Sequence, residues 1–410
     1  MSTARLVAGM CLAHVLSMTG FATFPALLPT LQAEWALSNT AAGWLNGIVL
    51  GGYVAAVPLL VALTDRIDAR RVYFVGLALS TLGLAGFAGA ATGFWSALLW
   101  ICLQGMGIGG TYMTGLKAMA DRAAGTLPSR AVALYTASFS IGTALSFVGA
   151  EAIGGAFGWE TAFAVAAGGP LLAMLVAWAV LAPRRPDASE RPPTHLFDYR
   201  PVLRNRPAMS YILGYAGHSW ELFALRGWIV AFLVAAGASR AGESGLGAAT
   251  LAGAINLVVV LASLGGNELA ARYGRRRVIA RVMVLSFIAA CVAGATVSAP
   301  LAVAVAAVTI HSCFVMGDSG ALTAGAIGAA QPAYRGTTVA LHAILGFTAG
   351  WLGPVAVGLA LDAAGGQAEP AAWFAAFAVM GAGSLAGGIA LVRMGRGSGD
   401  APEHARRPAA

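Results

Sequence analysis

The feature that most constrains this chain is a succession of long apolar runs separated by short breaks. They cover residues 6–31, 38–63, 71–91, 94–119, 130–156 and 160–182, then 208–237, 244–271, 277–298, 300–328, 335–362 and 369–393. At about 1.5 Å per residue, runs of this length cross the hydrocarbon core of a bilayer as helices. Charged residues make up 10% of the chain and apolar residues 58%, with mean hydropathy +0.76. A soluble globular chain carries about 25% charged residues, so the sequence is that of a polytopic membrane protein. The expected fold is all-α, with twelve transmembrane helices.

The spans fall into two sets of six. Between them, Pro183-Arg184-Arg185-Pro186 opens a stretch rich in proline and arginine and poor in long apolar residues, which reads as a surface linker. The expected organisation is a six-helix bundle over 1–182, a linker over 183–207, a second six-helix bundle over 208–395 and a tail over 396–410. The net charge of +8 is not a nucleic-acid face, because the basic residues gather in short loops. The loops after even-numbered spans hold Arg66, Arg70, Arg71, Arg122, Arg130, Arg184, Arg272, Arg275 and others; those after odd-numbered spans hold Arg240. The positive-inside rule then places both termini and the linker in the cytoplasm, as in a bacterial-type inner membrane. The first apolar run follows Arg5 but continues to about Leu31 without a small-x-small cleavage pattern, so it reads as a membrane helix, not a removed signal. Cys11, Cys102, Cys291 and Cys313 lie in apolar runs without CxxC spacing, which argues for core packing and against a metal site.

Charges inside the spans are the chemical signal. Each costs on the order of 2.5–3.5 kcal/mol at the bilayer centre, so it faces protein or water and has a reason to be there. The seventh span carries His218, Glu221 and Arg226. Glu221 and Arg226 lie about 140° apart round a helix, poorly placed to pair with each other. An arginine at that depth suits a carboxylate or phosphate, and a buried acid or histidine can carry a proton. The tenth span carries His311 and Asp318, seven residues apart and so on one face. Gly317, Ser319 and Gly320 flank Asp318 and are expected to loosen the helix there. Asp318 is the leading candidate for a protonatable carboxylate, Glu221 the next. The bland alternative pairs Asp318 with Arg226 as packing.

The two halves echo each other. The loop after span 2 reads Thr64-Asp65-Arg66-Ile67-Asp68-Ala69-Arg70-Arg71, and that after span 8 carries Glu268, Arg272, Gly274, Arg275, Arg276 and Arg277. Both set an acid ahead of an arginine cluster, the trace of a parallel repeat. Twelve spans, the 6+6 split and these loops resemble the major facilitator superfamily, whose loop signature is roughly G-x-x-x-D-R-x-G-R-R. Asp65, Arg66 and Arg70 match it; Val61 and Asp68 stand where glycines are usual. In the second copy Ala271 replaces the acid and Glu268 is the substitute. Gly346 through Gly353-Pro354, Gly358 and Asp362 resemble the family's eleventh helix, and Pro25 to Pro29 the end of its first. Two departures weaken the likeness to proton-driven drug exporters, which stay in view as the alternative: Ile101 lies where an arginine often precedes Gln104-Gly105, and Ala150-Glu151 precedes Gly154-Gly155 in the fifth span.

The resemblance implies a secondary transporter working by alternating access. The expected solute is small and organic, an anion in particular, and the expected coupling ion is the proton. Asp65, Arg66, Arg70, Glu268, Arg272 and Arg275 are candidates for a cytoplasmic gate of charge-assisted pairs. Symport and antiport stay open, with drug or metabolite efflux as the alternative. A non-transporting sensor and a membrane enzyme acting through His218/Glu221 or His311/Asp318 are the other classes weighed. No phosphate loop, HExxH or GxSxG is present in the sequence, so no enzyme activity, cofactor or metal is expected. The expected partners are substrate and membrane lipid, with the chain a monomer. His14, His342, Glu151, Asn46, Gln104 and Asn256 are weaker candidates, each open to a packing role.

Overall fold

A computed structural model describes residues 2–64, 66–123, 129–184, 199–238 and 246–395. Asp65, Arg240, most of the linker and the tail lie outside the described residues. The described chain is helical: α1 (Thr3–Met18), α2 (Thr23–Glu34), α3 (Asn39–Leu63), α4 (Ala69–Ala90), α5 (Phe94–Gly109), α6 (Tyr112–Ala120), α7 (Ser129–Phe157), α8 (Trp159–Val180), α9 (Arg200–Arg204), α10 (Arg206–Leu233), α11 (Ala248–Val258), α12 (Val260–Tyr273), α13 (Arg275–Ala295), α14 (Leu301–Gly317), α15 (Ser319–Ala329), α16 (Arg335–Ala363) and α17 (Pro370–Met394).

Among the described residues, eleven helical stretches are long and apolar enough to cross a membrane. The fourth expected span differs in form: it breaks at Gly110–Thr111 into α5 and α6, each too short to count alone. The tenth is also broken, at Asp318, which ends α14 and begins α15 with φ −103° and ψ −16°. The glycine-rich surroundings of both breaks tolerate the loss of helical bonds.

The helices cluster into two compact units. Unit 1 comprises Met1–Leu37, Ile48–Thr194 and Gly247–Leu257; unit 2 comprises Ser38–Gly47, His195–Leu246 and Val258–Ala410. The first turns of α3 thus belong with unit 2, and most of α11 with unit 1. In each case a carboxylate holds the helix start. Asp362 of α16 accepts from the backbone N–H groups of Asn39 (3.1 Å) and Thr40 (2.8 Å) and from both their side chains. Glu151 of α7 accepts from the N–H groups of Ala249 (3.0 Å) and Thr250 (2.9 Å) and from the Thr250 hydroxyl. These bonds satisfy donors that a helix start leaves free, and the negative charge meets the positive end of the helix dipole.

Unit 1 packs around Leu6, Met10, Tyr73, Leu77, Tyr135 and Ala177, and unit 2 around Ile212, Ile279, Met283, Leu322 and Leu391. With lipid outside there is no hydrophobic drive between helices, so close backbone approach supplies the cohesion. Gly105 and Gly266 show how close. A Cβ on Gly105 would lie 1.9 Å from the Val49 carbonyl oxygen, and one on Gly266 1.8 Å from that of Gly317. Large apolar side chains such as Trp95, Trp178, Leu261 and Leu264 face outward, an arrangement suited to a lipid surround.

Candidate functional site

α10 carries three of the sequence candidates into the interior of unit 2. His218 is 1% exposed and Glu221 is fully buried, while Arg226 is half-buried with its guanidinium 5.7 Å from the Phe223 ring. α14 brings His311, fully buried, and the break after it brings Asp318, 2% exposed. The structure sorts these groups into two histidine–carboxylate pairs. His311 Nε2 lies 2.9 Å from Glu221 Oε1, and His218 Nδ1 lies 2.7 Å from Asp318 Oδ1. His311 and Asp318 therefore engage different partners despite their shared face. Asp318 is met by His218, where the packing alternative had put Arg226.

The two pairs differ in their surroundings. Glu221 Oε2 also accepts from the hydroxyls of Ser286 (3.0 Å) on α13 and Ser384 on α17. The His218–Asp318 approach is close but lacks hydrogen-bond alignment, and among the described residues His218 Nε2 has no hydrogen-bond partner. Below His218, Tyr215 stacks against it at 5.5 Å and against His342 at 3.8 Å. His342 Nε2 in turn lies 3.3 Å from the Thr323 hydroxyl. Isolated charges in such a place are expensive, and pairing is the general answer to that cost. Sequence reasoning missed Ser286 and Ser384; their one signal was a hydroxyl near the middle of a membrane span.

The proposed gate residues are placed less cohesively. Asp65 lies outside the described residues. The acid that organises the α3–α4 turn is Asp68. It caps α4 through the Arg70 N–H (3.0 Å), accepts from Arg122 Nη2 at 2.7 and 2.9 Å, and accepts from the Arg184 N–H at 2.8 Å. Burial alone would raise its carboxyl, but the Arg122 side chain, the Arg184 and Arg70 amides and the Arg122 charge outweigh that and hold it below the usual carboxylate range. Arg66 is exposed and Arg70 sits 5.1 Å over the Phe74 ring. Glu268 and Arg272 meet at 3.3 Å as neighbours on one helix, 67% and 62% exposed, and Arg275 begins α13. In this structure Glu268 is engaged by a neighbour on its own helix, an exposed pair one turn apart that contributes little to stability.

Most weaker candidates are occupied in packing. His14 is fully buried, stacks on Tyr135 at 4.4 Å and meets the Tyr135 carbonyl at 3.0 Å. Gln104 donates to the Gly20 carbonyl and Asn256 to that of Ser140. Asn46 differs: both its side-chain polar atoms are buried without a hydrogen-bond partner among the described residues.

Comparison with known proteins agrees with this architecture. The family model of the Major Facilitator Superfamily matches residues 10–265. Human "Protein spinster homolog 1" is 23% identical over 244 residues, covering 57% of this chain and 46% of that protein. A "Probable 4-methylmuconolactone transporter" of Cupriavidus pinatubonensis is 29% identical over 130 residues, 30% of this chain and 29% of that one. The chain thus spans less than half the length of these relatives. An aspartate-to-alanine mutant of the nucleoside transporter NupG shares the fold, with a TM-score of 0.78 at 14% identity, covering 95% of this chain and 99% of that one. With a family model matched over more than half its length and a transporter fold throughout, this multi-pass membrane protein belongs to the Major Facilitator Superfamily.

Proposed function

We propose that the chain is a proton-coupled secondary transporter that moves a small organic solute by alternating access. The observation that carries this reading is the pair of buried histidine–carboxylate contacts in unit 2, one of them at a helix break. Ionisable groups held at such depth suit a site that gains and loses a proton during a cycle. Arg226, with its guanidinium over an aromatic ring, favours an anionic or aromatic solute. The names of the relatives, which include a lactone and a nucleoside transporter, agree with an organic solute but differ among themselves. The frame is two six-helix halves, 1–182 and 208–395, joined by a cytoplasmic linker over 183–207 and followed by a cytoplasmic tail. A monomer in a bacterial-type inner membrane, lipid-solvated, with both termini inside, completes it.

The test is proton flux in reconstituted vesicles holding a pH-sensitive dye, screened against pooled organic acids, lactones, nucleosides and cationic drugs. Solute-dependent acidification or alkalinisation that vanishes in Asp318→Asn is the expected result. Solute movement with no pH change refutes proton coupling. Cationic drugs as the sole active pool favour efflux over organic-anion transport.

A further inference from the structure

The hydroxyls of Ser286 and Ser384 are spent in an unusual way for a membrane helix. Ser312 and Thr309 return theirs to the carbonyls of Val308 and Val305, one turn back on their own helix. Ser286 and Ser384, each 1% exposed and on different helices, both donate to Oε2 of Glu221. A serine has one proton to donate. With His311 at Oε1, three groups from α13, α14 and α17 converge on this carboxylate. With His311 in its Nε2–H form, an acceptor-only carboxylate satisfies all three at once. Placing a proton on Oε2 would set an O–H against two hydroxyls that already point at it, and one would have to turn away.

Among the described residues, Asp318 has no such cradle. Its described side-chain partner is His218, close but misaligned, and it sits where the α14 and α15 helices part. Among the described residues, the other titratable groups around this centre are Glu221 with its partner His311, Tyr215 of α10, which stacks on His218, Cys291 on α13, which feels Glu221, and His342 on α16, which feels His218. Where α12 approaches, Asn267 packs against Gly320 and brings no charge.

We propose that Ser286 and Ser384 are positioning residues that keep Glu221 a fixed anion beside His311, leaving Asp318 with His218 as the pair that takes up and releases the coupling proton. The proton comes from water on one side of the membrane, converts the Asp318 carboxylate to a carboxylic acid, and leaves to water on the other side. This assignment rests on the proton-coupled reading above and divides the labour within it. Two carboxylates thus sit in one bundle with different duties, set by how many donors each is given.

The test is infrared difference spectroscopy of the purified full-length chain during a pH titration, without solute or gradient. One titrating carboxylic C=O band is expected from this centre, absent in Asp318→Asn and retained in Glu221→Gln. The double variant Ser286→Ala/Ser384→Ala should add a second band of similar area that disappears when Glu221→Gln is combined with it, and Ser384→Thr, which retains a hydroxyl, should keep the single band. If the double variant does not yield folded protein, Ser286→Ala alone carries the same comparison. A band that is lost in Glu221→Gln but kept in Asp318→Asn overturns the assignment, as does the absence of any titrating band or of a second band in the folded alanine variants. Because no gradient is used, the expected band pattern together with absent proton flux in vesicles would remove the coupling reading and leave the role of the serines standing.

Discussion

Replacing Asp68 should loosen one corner of unit 1 by a measurable amount. Its carboxylate takes four bonds, two from Arg122 and one each from the Arg184 and Arg70 amides. Both charged side chains are 8% exposed. Loss of a helix cap costs about 1 kcal/mol. The ion pair lies between the exposed limit of about 0–1 kcal/mol and the buried limit of about 3–5, since Arg122 retains bonds to the Ala118 and Ala182 carbonyls. Asp68→Ala is therefore expected to destabilise by about 2–3 kcal/mol, and Asp68→Asn, which can still cap α4, by about 1–2. Denaturant unfolding in mixed micelles reads the difference, and a double-mutant cycle with Arg122→Ala isolates the pair. The pH dependence has a definite sign. The folded carboxyl lies below its usual range, so its contribution is complete above the unfolded value of about 4 and fades as pH falls through the depressed folded value. The gap between wild type and Asp68→Asn should be constant from about pH 5 to 8 and shrink below about 4. A variant as stable as wild type at neutral pH, or a gap that widens in acid, would refute the argument.

Glu151→Gln and Asp362→Asn each remove a charge from a helix start, and each should cost about 1–2 kcal/mol; the two should add, being in separate units, as unfolding of the double variant would report. Gly266→Ala drives a methyl into the Gly317 carbonyl and should cost more than about 2 kcal/mol or prevent folding, whereas Gly265→Ala, with open space around it, should be near neutral; comparable losses at both would contradict the close-approach reading. Glu268→Gln should change stability by less than about 0.5 kcal/mol and leave the transport rate intact, because the pair it breaks is exposed and local. A large fall in transport would instead support its role in the gate.

The fold was legible because lipid simplifies the problem. Where water is absent, backbone groups must be satisfied within a helix, so a long apolar run declares its structure without knowledge of its neighbours. The chain's 58% apolar content carried the class, and the succession of apolar runs with the basic loops after spans 2 and 8 carried the family. His218, Glu221, His311 and Asp318 were equally visible, since a charge in an apolar run is conspicuous by its cost.

What the sequence could not decide was who meets whom. Helical periodicity put His311 and Asp318 on one face, yet the break at Asp318 and the approach of α10 send them to different partners. Ser286 and Ser384 look like ordinary small residues until two separate helices bring them to one oxygen of Glu221. Asp68, which stands where the family pattern has glycine, becomes the centre of an ion pair only because the turn after α6 sets Arg122 beside it. A run of residues fixes the chemistry each helix carries and the cost of burying it. Only the packing of helices far apart in sequence decides which donor satisfies which acceptor, because those distances are set by backbone contacts, such as Gly266 against Gly317, that no local pattern encodes.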